Sequence, residues 1–316
     1  MISRGPAKAP HKQFKPDERP FSYLDFGIDQ LGFELSEGHR TGRQTSPELY
    51  NQVVELPQVK LIQRVKDKCN QDDCLDAALM YGSFTKGEGD QYSDIEFWLF
   101  FDSKTLSDID QEQWIKDIAP IYWTIINEHG TRVAFFKDHL IRGEFHFVAT
   151  SSMGAVEDWP AVETERACEM VIVDHTNKLQ GYIEAGEPVI PSSPAQIEQL
   201  CGQYLNWYLF GRNVLRRGDL AQAHTILGIL QGYLIWMARL LEASTKHWQT
   251  QSKSLETELS PKSYREFHQT TARCESRELD RAYKAAWSWG GELISRLERK
   301  HGFSIPPELI RAMAVY

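Results

Sequence analysis

The sequence is short of cysteine, of positive charge and of long apolar runs, and each shortage removes a class of protein. Its five cysteines, Cys69, Cys74, Cys168, Cys201 and Cys274, are odd in number and scattered, with no C-x-x-C pair. A disulfide framework or a structural zinc site needs paired thiols at regular spacing, so neither is expected and the cysteines read as packing residues. Lys and Arg total 35 against 44 Asp and Glu, a formal net charge of −9. A nucleic-acid partner would require a basic footprint for its phosphates, so none is expected. No apolar run approaches the roughly 20 residues of a transmembrane helix. Met1-Ile2-Ser3-Arg4-Gly5-Pro6 leads into a polar, proline-bearing stretch and not into the apolar core of a signal peptide. The expectation is a cytoplasmic protein with no membrane partner.

What is present is a globular composition, 41% hydrophobic and 25% charged over 316 residues, enough for one large domain or two ordinary ones. Residues 1–55 are rich in Pro, Gly and charge and carry no periodicity long enough for a core element. They are expected to form a polar N-terminal extension, flexible or loosely docked. Residues 56–190 alternate helix-like and strand-like segments. Val59, Ile62 and Val65 predict an amphipathic helix before Cys69. Strands are predicted over 77–81, 95–101, 132–136, 144–149 and 170–174. Trp114, Ile118, Ile121, Tyr122 and Ile125 fall at helical spacing and predict a helix over 110–129, stopped by Gly130. From Pro191-Ser192-Ser193-Pro194 onward the chain turns helical, with long helices ending at Gly218, over 221–248 and over 279–297. The fold class is therefore α+β: a mixed β-sheet with helices over 56–190, followed by a C-terminal helical bundle over 191–316.

The chemistry concentrates in Leu79-Met80-Tyr81-Gly82-Ser83-Phe84-Thr85-Lys86-Gly87-Glu88-Gly89-Asp90-Gln91-Tyr92-Ser93-Asp94-Ile95-Glu96-Phe97-Trp98. A strand delivers Gly82-Ser83 at a turn, a polar loop follows, and the next strand opens on Asp94-x-Glu96. Residues two apart on a strand point to one side, so the two carboxylates are presented together. They repel unless a cation separates them, and Mg²⁺, a hard ion that also binds phosphate oxygens, meets that need. Gly82 lets backbone approach a phosphate, and the Ser83 hydroxyl and nearby N–H groups donate to it. A helix beginning just after Ser83 would add its positive end. Lys86, with Gly87 and Gly89, makes the loop cationic and able to close over phosphates. Gly-Ser followed by D-x-D/E in this setting is the nucleotidyltransferase signature.

A third carboxylate is expected from a later strand. Glu144 is the best candidate, in Leu140-Ile141-Arg142-Gly143-Glu144-Phe145-His146-Phe147, as metal ligand or base. Glu144 and His146 share one strand face, and Phe145 and Phe147 the other. His146 reads equally as a neighbour of the site or as a satisfied core histidine. Arg142 reads as a phosphate partner or merely as the mate of a surface acid, and it is not counted among the site residues.

The string from Met80 to Phe97 resembles the lincosamide nucleotidyltransferases of the B type. So do the Leu140 to Phe147 block, Asn213-Val214-Leu215-Arg216-Arg217-Gly218 and Thr270-Thr271-Ala272-Arg273. The likeness runs from about residue 58 to the end. It implies a homodimer with an N-terminal nucleotidyltransferase fold and a C-terminal helical bundle. It further implies transfer of AMP from ATP to a hydroxyl of lincomycin or clindamycin, with release of pyrophosphate. By resemblance the metal-binding carboxylates fall on Asp94 and Glu96, and the third, also the general base, on Glu144. Gly82, Ser83 and Lys86 are the expected nucleotide-binding residues. An aminoglycoside acceptor is the nearest alternative, for which Glu157, Asp158, Glu163 and Glu165 would supply acidic partners. A protein acceptor or a non-catalytic nucleotide-binding module is the remaining alternative. The acceptor is expected between sheet and bundle, where Tyr204, Trp207, Tyr208 and Tyr233 are plentiful, although most of these suit a core.

Overall fold

The computed structural model describes residues 56–159, 167–185 and 190–316, and the expectations for residues 1–55 lie outside them. Helix α1 (Pro57–Gln71) starts on a proline, whose missing N–H costs nothing in a first turn. It buries the stripe Leu61, Ile62, Val65 and Cys69. A short turn leads into β1 (Leu75–Tyr81), and the signature loop joins it to β2 (Ile95–Phe101). The short helices α2 (Ser103–Asp108) and α3 (Gln111–Lys116) follow, capped by the side chains of Asp102 and Asp110.

The helix expected over 110–129 stops at α3, and residues 121–126 are strand instead. Pro120 is the cause. It has no N–H to continue the ladder, and it disfavours the helical region for Ala119 before it. The residues beyond, Ile121-Tyr122-Trp123-Thr124-Ile125-Ile126, are β-branched or aromatic and pair readily in a sheet. Gly130 (φ +77°) sits in the hairpin turn between β3 (Ile121–Ile126) and β4 (Arg132–Phe136), so it turns a hairpin and does not stop a helix. The side chain of Asn127 shapes that turn, accepting the backbone N–H groups of His129 (3.0 Å) and Thr131 (2.9 Å).

Strand β5 (Arg142–Ala149), a 3₁₀ turn (Thr150–Val156), α4 (Ala167–Met170), β6 (Val171–Asp174) and α5 (Leu179–Glu184) complete this part. The sheet order is β3-β4-β5-β2-β1-β6. Among the described residues, only β2 and β5 run parallel, and the other neighbours are antiparallel. The expected mixed sheet is therefore present. Its two faces differ. One buries Phe97, Leu99, Phe101, Phe136 and Phe145 against α1 and α3 residues. The other buries Leu79, Tyr81, Trp98 and Phe100 with Met153, Val156 and Ile183.

The helical region begins with α6 (Pro194–Arg217), where Ser193 and Gln196 form a reciprocal capping box and Gly218 (φ +85°) closes the other end. Helix α7 (Leu220–Glu242) ends earlier than its apolar run suggested, at Ala243 (φ +54°), and the chain continues through turns to Ser254. The remaining helices are α8 (Leu255–Glu258), α9 (Pro261–Gln269), α10 (Ser276–His301) and α11 (Pro307–Ala314). Tyrosines lock α6, α7 and α10 together. Tyr204 donates to the Ala286 carbonyl (2.7 Å) over Gly290, and Tyr283 to the Ala223 carbonyl (2.8 Å) over Gly211. Tyr204, Tyr208 and Tyr233 are thus core residues. Among the described residues, no helix is long and apolar enough to cross a membrane.

Candidate active site

The parallel β2–β5 pairing brings the acidic residues together. Glu96 and Glu144 are register partners, as are Trp98 and His146. Partners across adjacent strands share a face, so Glu96, Glu144, Trp98 and His146 all project from the same side. Tyr81, the partner of Glu96 on β1, joins them. Asp94 stands one residue before β2 at the same end. Arg142 heads β5 and pairs with both flanking acids, with its Nη1 2.5 Å from Asp94 Oδ2 and its Nη2 on Glu144 Oε1.

The electrostatics follow from this crowding. Burial, together with the charges of Asp94 and Glu144, pushes the Glu96 carboxyl up to about 8 against the opposing pull of Arg142 and Lys86. Burial opposes the Arg142 charge, but Glu144 and Asp94 outweigh it and raise the guanidinium. Burial and the charges of Glu144 and Glu96 hold the Tyr81 hydroxyl well above its ordinary range. His146 is pushed down to about 4 by burial and by His129, so its imidazole is neutral at pH 7.

A neutral His146 gives one consistent hydrogen-bond chain. Tyr81 donates to Glu144 Oε2 (3.3 Å), which leaves its oxygen to accept from His146 Nε2 (2.9 Å). His146 Nδ1 then accepts from Thr131 Oγ1 (3.1 Å). Trp98 stacks on the imidazole at 4.7 Å and Trp159 meets it edge-on at 5.2 Å. The Glu144 carboxylate is therefore oriented from two sides, by Arg142 and by Tyr81.

The Gly82-Ser83 turn lies beside these acids. Gly82 has φ +87°, and a Cβ placed there would fall 1.5 Å from Glu96 Oε2. No side chain but hydrogen fits. The Ser83 Oγ is buried and has no hydrogen-bond partner. The helix expected after Ser83 is absent. Residues 83–87 form a turn closed by the N–H groups of Lys86 (3.2 Å) and Glu88 (2.9 Å) on the Ser83 carbonyl. Lys86 is close enough to act on the Glu96 charge.

The structure thus gathers Asp94, Glu96, Glu144, Gly82, Ser83 and Lys86 at one end of the sheet. Sequence reasoning left Arg142 and His146 open and did not single out Tyr81 for the site. Its signal was available: Tyr81 shares its strand face with Leu79 and immediately precedes the signature glycine. Among the described residues, no three His, Cys, Asp or Glu side chains are gathered tightly enough to hold a metal ion. Arg142 stands between two of the three carboxylates instead. The donor set, hard oxygens whose mutual repulsion is only partly relieved, nonetheless has the chemistry that suits a divalent cation. Glu163 and Glu165 lie outside the described residues.

Residues 194–316 match the family model for the lincosamide nucleotidyltransferase-like C-terminal domain. The helical region is therefore similar to the C-terminal domain of those proteins. No curated protein matches the chain in sequence. Among solved structures, an aminoglycoside 6-adenyltransferase from Bacillus subtilis aligns over 82% of this chain and 95% of its own, at 13% identity and a TM-score of 0.38. A nucleotidyltransferase-like protein from Exiguobacterium sibiricum 255-15 aligns over 77% of each chain, at 11% identity and a TM-score of 0.36. Both likenesses are too low to bear on function.

Proposed function

We propose that this chain transfers a nucleoside monophosphate, AMP from ATP, to a hydroxyl of a lincosamide such as lincomycin or clindamycin. The observation that carries this reading is the parallel pairing of Glu96 with Glu144, with Asp94 adjacent and the Gly82-Ser83 turn against them. The match of residues 194–316 to a lincosamide nucleotidyltransferase-like domain supports the acceptor class.

Mg²⁺ held by Asp94, Glu96 and Glu144 would supply charge neutralisation for the phosphates. Ser83, whose hydroxyl is buried and unpartnered, and the adjacent backbone hold the β- and γ-phosphates, with Lys86 beside them. Glu144 takes the proton of the acceptor hydroxyl as its oxygen attacks the α-phosphorus and the bond to pyrophosphate breaks. Tyr81 and His146 keep that carboxylate aimed, so positioning and charge stabilisation do most of the work.

The acceptor is placed on the same sheet face, next to Arg142. Phe135 is the register partner of Arg142, and Trp123 is the partner of Phe135. The two rings stack at 6.3 Å, and the Trp123 side is 65% exposed. Such a flat apolar surface two strands away, about 10 Å from the β5 acids, fits one ring of a two-ring acceptor while its other end reaches Glu144.

Purified protein is incubated with ATP, Mg²⁺ and clindamycin, with kanamycin in a parallel reaction, and the products are weighed by mass spectrometry. A clindamycin adduct heavier by one AMP unit supports the proposal. An adduct on kanamycin alone transfers the reading to aminoglycosides, and no adduct in either removes both. The homodimer implied by the resemblance is tested on the same sample by light scattering.

A further inference from the structure

We propose that Glu88 is a positioning residue that fastens the signature loop to the helical region and thereby sets the nucleotide-binding end of the site; this rests on the nucleotidyl-transfer reading above. Residues 82–94 contain three glycines, and two of them, Gly82 and Gly87, adopt positive φ. The segment's internal bonds, such as Thr85 Oγ1 to the Gly82 carbonyl (2.8 Å) and Tyr92 N–H to Asp90 (2.9 Å), close local turns but tie none of them to the helical region. Glu88 supplies that tie. Its side chain is only 14% exposed and receives Lys253 Nζ (2.7 Å), His247 Nε2 (2.9 Å) and Lys246 Nζ. Burial works to raise this carboxyl, but the hydrogen bonds from Lys246, Lys253 and His247 win and hold it far below the usual carboxylate range.

All three donors come from the turns between α7 and α8, a segment that is itself organised from beneath. Arg239 on α7 is fully buried. It donates to the carbonyls of Ser244 (2.9 Å), Gln251 (2.9 Å) and Lys253 (2.6 Å), and it pairs with Glu258 on α8 (2.7 Å). Glu258 in turn lies 2.7 Å from Nδ1 of His247. A continuous set of contacts therefore runs from the interior of the helical region through Arg239, Glu258 and His247 to Glu88.

The last link reaches the site. The Glu88 N–H donates to the Ser83 carbonyl (2.9 Å), closing the turn that carries Ser83 and Lys86. Moving Glu88 moves Ser83. Lys246 and Lys253 are exposed, so their pairing with Glu88 is screened and is weak evidence for stability, whereas fixing one arrangement among several is a better-attested use of such contacts. Here the arrangement fixed is that of the turn presenting the unpartnered Ser83 hydroxyl.

The test compares the full chain with Glu88→Gln, which keeps the shape and removes the charge, and with Glu88→Gln/His247→Gln. Hydrogen exchange is followed over residues 82–94, and KM for ATP, KM for clindamycin and kcat are measured. The expected result is faster exchange in that loop and a rise of about tenfold in KM for ATP, with KM for clindamycin unchanged. The double variant also breaks the contact of His247 with Glu258, so its further effect should fall on melting temperature, while its KM for ATP should match that of the single variant; a further rise in KM for ATP would overturn Glu88 as the link. Unchanged exchange and unchanged KM for ATP in Glu88→Gln, in a protein whose wild type turns over, overturn the positioning role alone. A lowered melting temperature without change in KM or loop exchange reduces Glu88 to a structural ion pair and also overturns it. A wild type that neither binds nor consumes ATP overturns instead the functional reading on which the proposal rests.

Discussion

Glu96 occupies the space in which a side chain on Gly82 would begin, its Oε2 standing 1.5 Å from where that Cβ would lie. The close approach ties the signature glycine to the carboxylate two strand positions into β2. Gly82→Ala has to displace Glu96 and also strain a backbone at φ +87°. The expected outcome is a loss of turnover on the order of 100-fold and a loss of about 1–3 kcal/mol in stability. Steady-state kinetics and thermal melts check both. Wild-type turnover in this variant would sink the assignment of Glu96 to the reacting centre.

Trp123→Ala tests the acceptor surface. The side chain is 65% exposed, so stability should move by no more than about 0.5 kcal/mol. KM for clindamycin is expected to rise about tenfold, with KM for ATP unaltered, as when contacts made equally in ground and transition state are lost. Equal changes in both constants, or none, would move the acceptor away from the β3–β4 end.

Glu96 gives the protein a defined response to pH and metal. In the fold its carboxyl titrates at about 8, while in an unfolded chain it would do so near its usual ~4.3. Between those values the folded protein holds a proton that the unfolded chain has released, so stability of the metal-free protein falls as pH rises through this window. Mg²⁺ must displace that proton, and its affinity is expected to increase from pH 6.5 to pH 8.5. Melting curves and calorimetric titrations at the two pH values decide it. Mg²⁺ binding that is independent of pH would remove Glu96 from the ligand set.

The helical region offers a separate check on packing. A Cβ on Gly290 would lie 2.1 Å from the Tyr204 hydroxyl, which already donates to the Ala286 carbonyl. Alanine is the better helix former, yet Gly290→Ala is expected to destabilise by about 1–3 kcal/mol through overpacking. A chemical-denaturation curve shifted toward greater stability would mean that the α6–α10 contact is looser than these distances indicate.

The candidate site was legible because its residues obey local rules. Asp94 and Glu96 stand two apart at the head of a strand, Gly82-Ser83 closes the strand before it, and Glu144 alternates with Phe145 and Phe147. The partners of these residues were less legible. That Tyr81 touches Glu144 and Arg142 touches Asp94 depends on β1, β2 and β5 lying side by side, a matter of long-range register that no local pattern records. The expected helix over 110–129 failed for a different reason. Trp114, Ile118, Ile121, Tyr122 and Ile125 fit helical spacing by coincidence, and Pro120 outweighs them. Farther along the chain, residues 243–248 read as a continuation of the helix. The fully buried Arg239, which binds the carbonyls of the turns beyond, was invisible without the fold.

The parallel pairing of β2 with β5 bears on how the catalyst comes into being. Glu96 and Glu144 belong to strands that no tight turn can join, and β3 and β4 must be made and laid down between them in the chain. A nascent fragment ending before β5 therefore carries Gly82, Ser83, Asp94 and Glu96 yet possesses no active site. A slip of one residue in the closing strand would install Phe145 in place of Glu144. Catalytic competence thus waits on this pairing, and regained turnover on refolding would report that β2 and β5 have found their register, a separate matter from the still longer-range joining of β1 to β6.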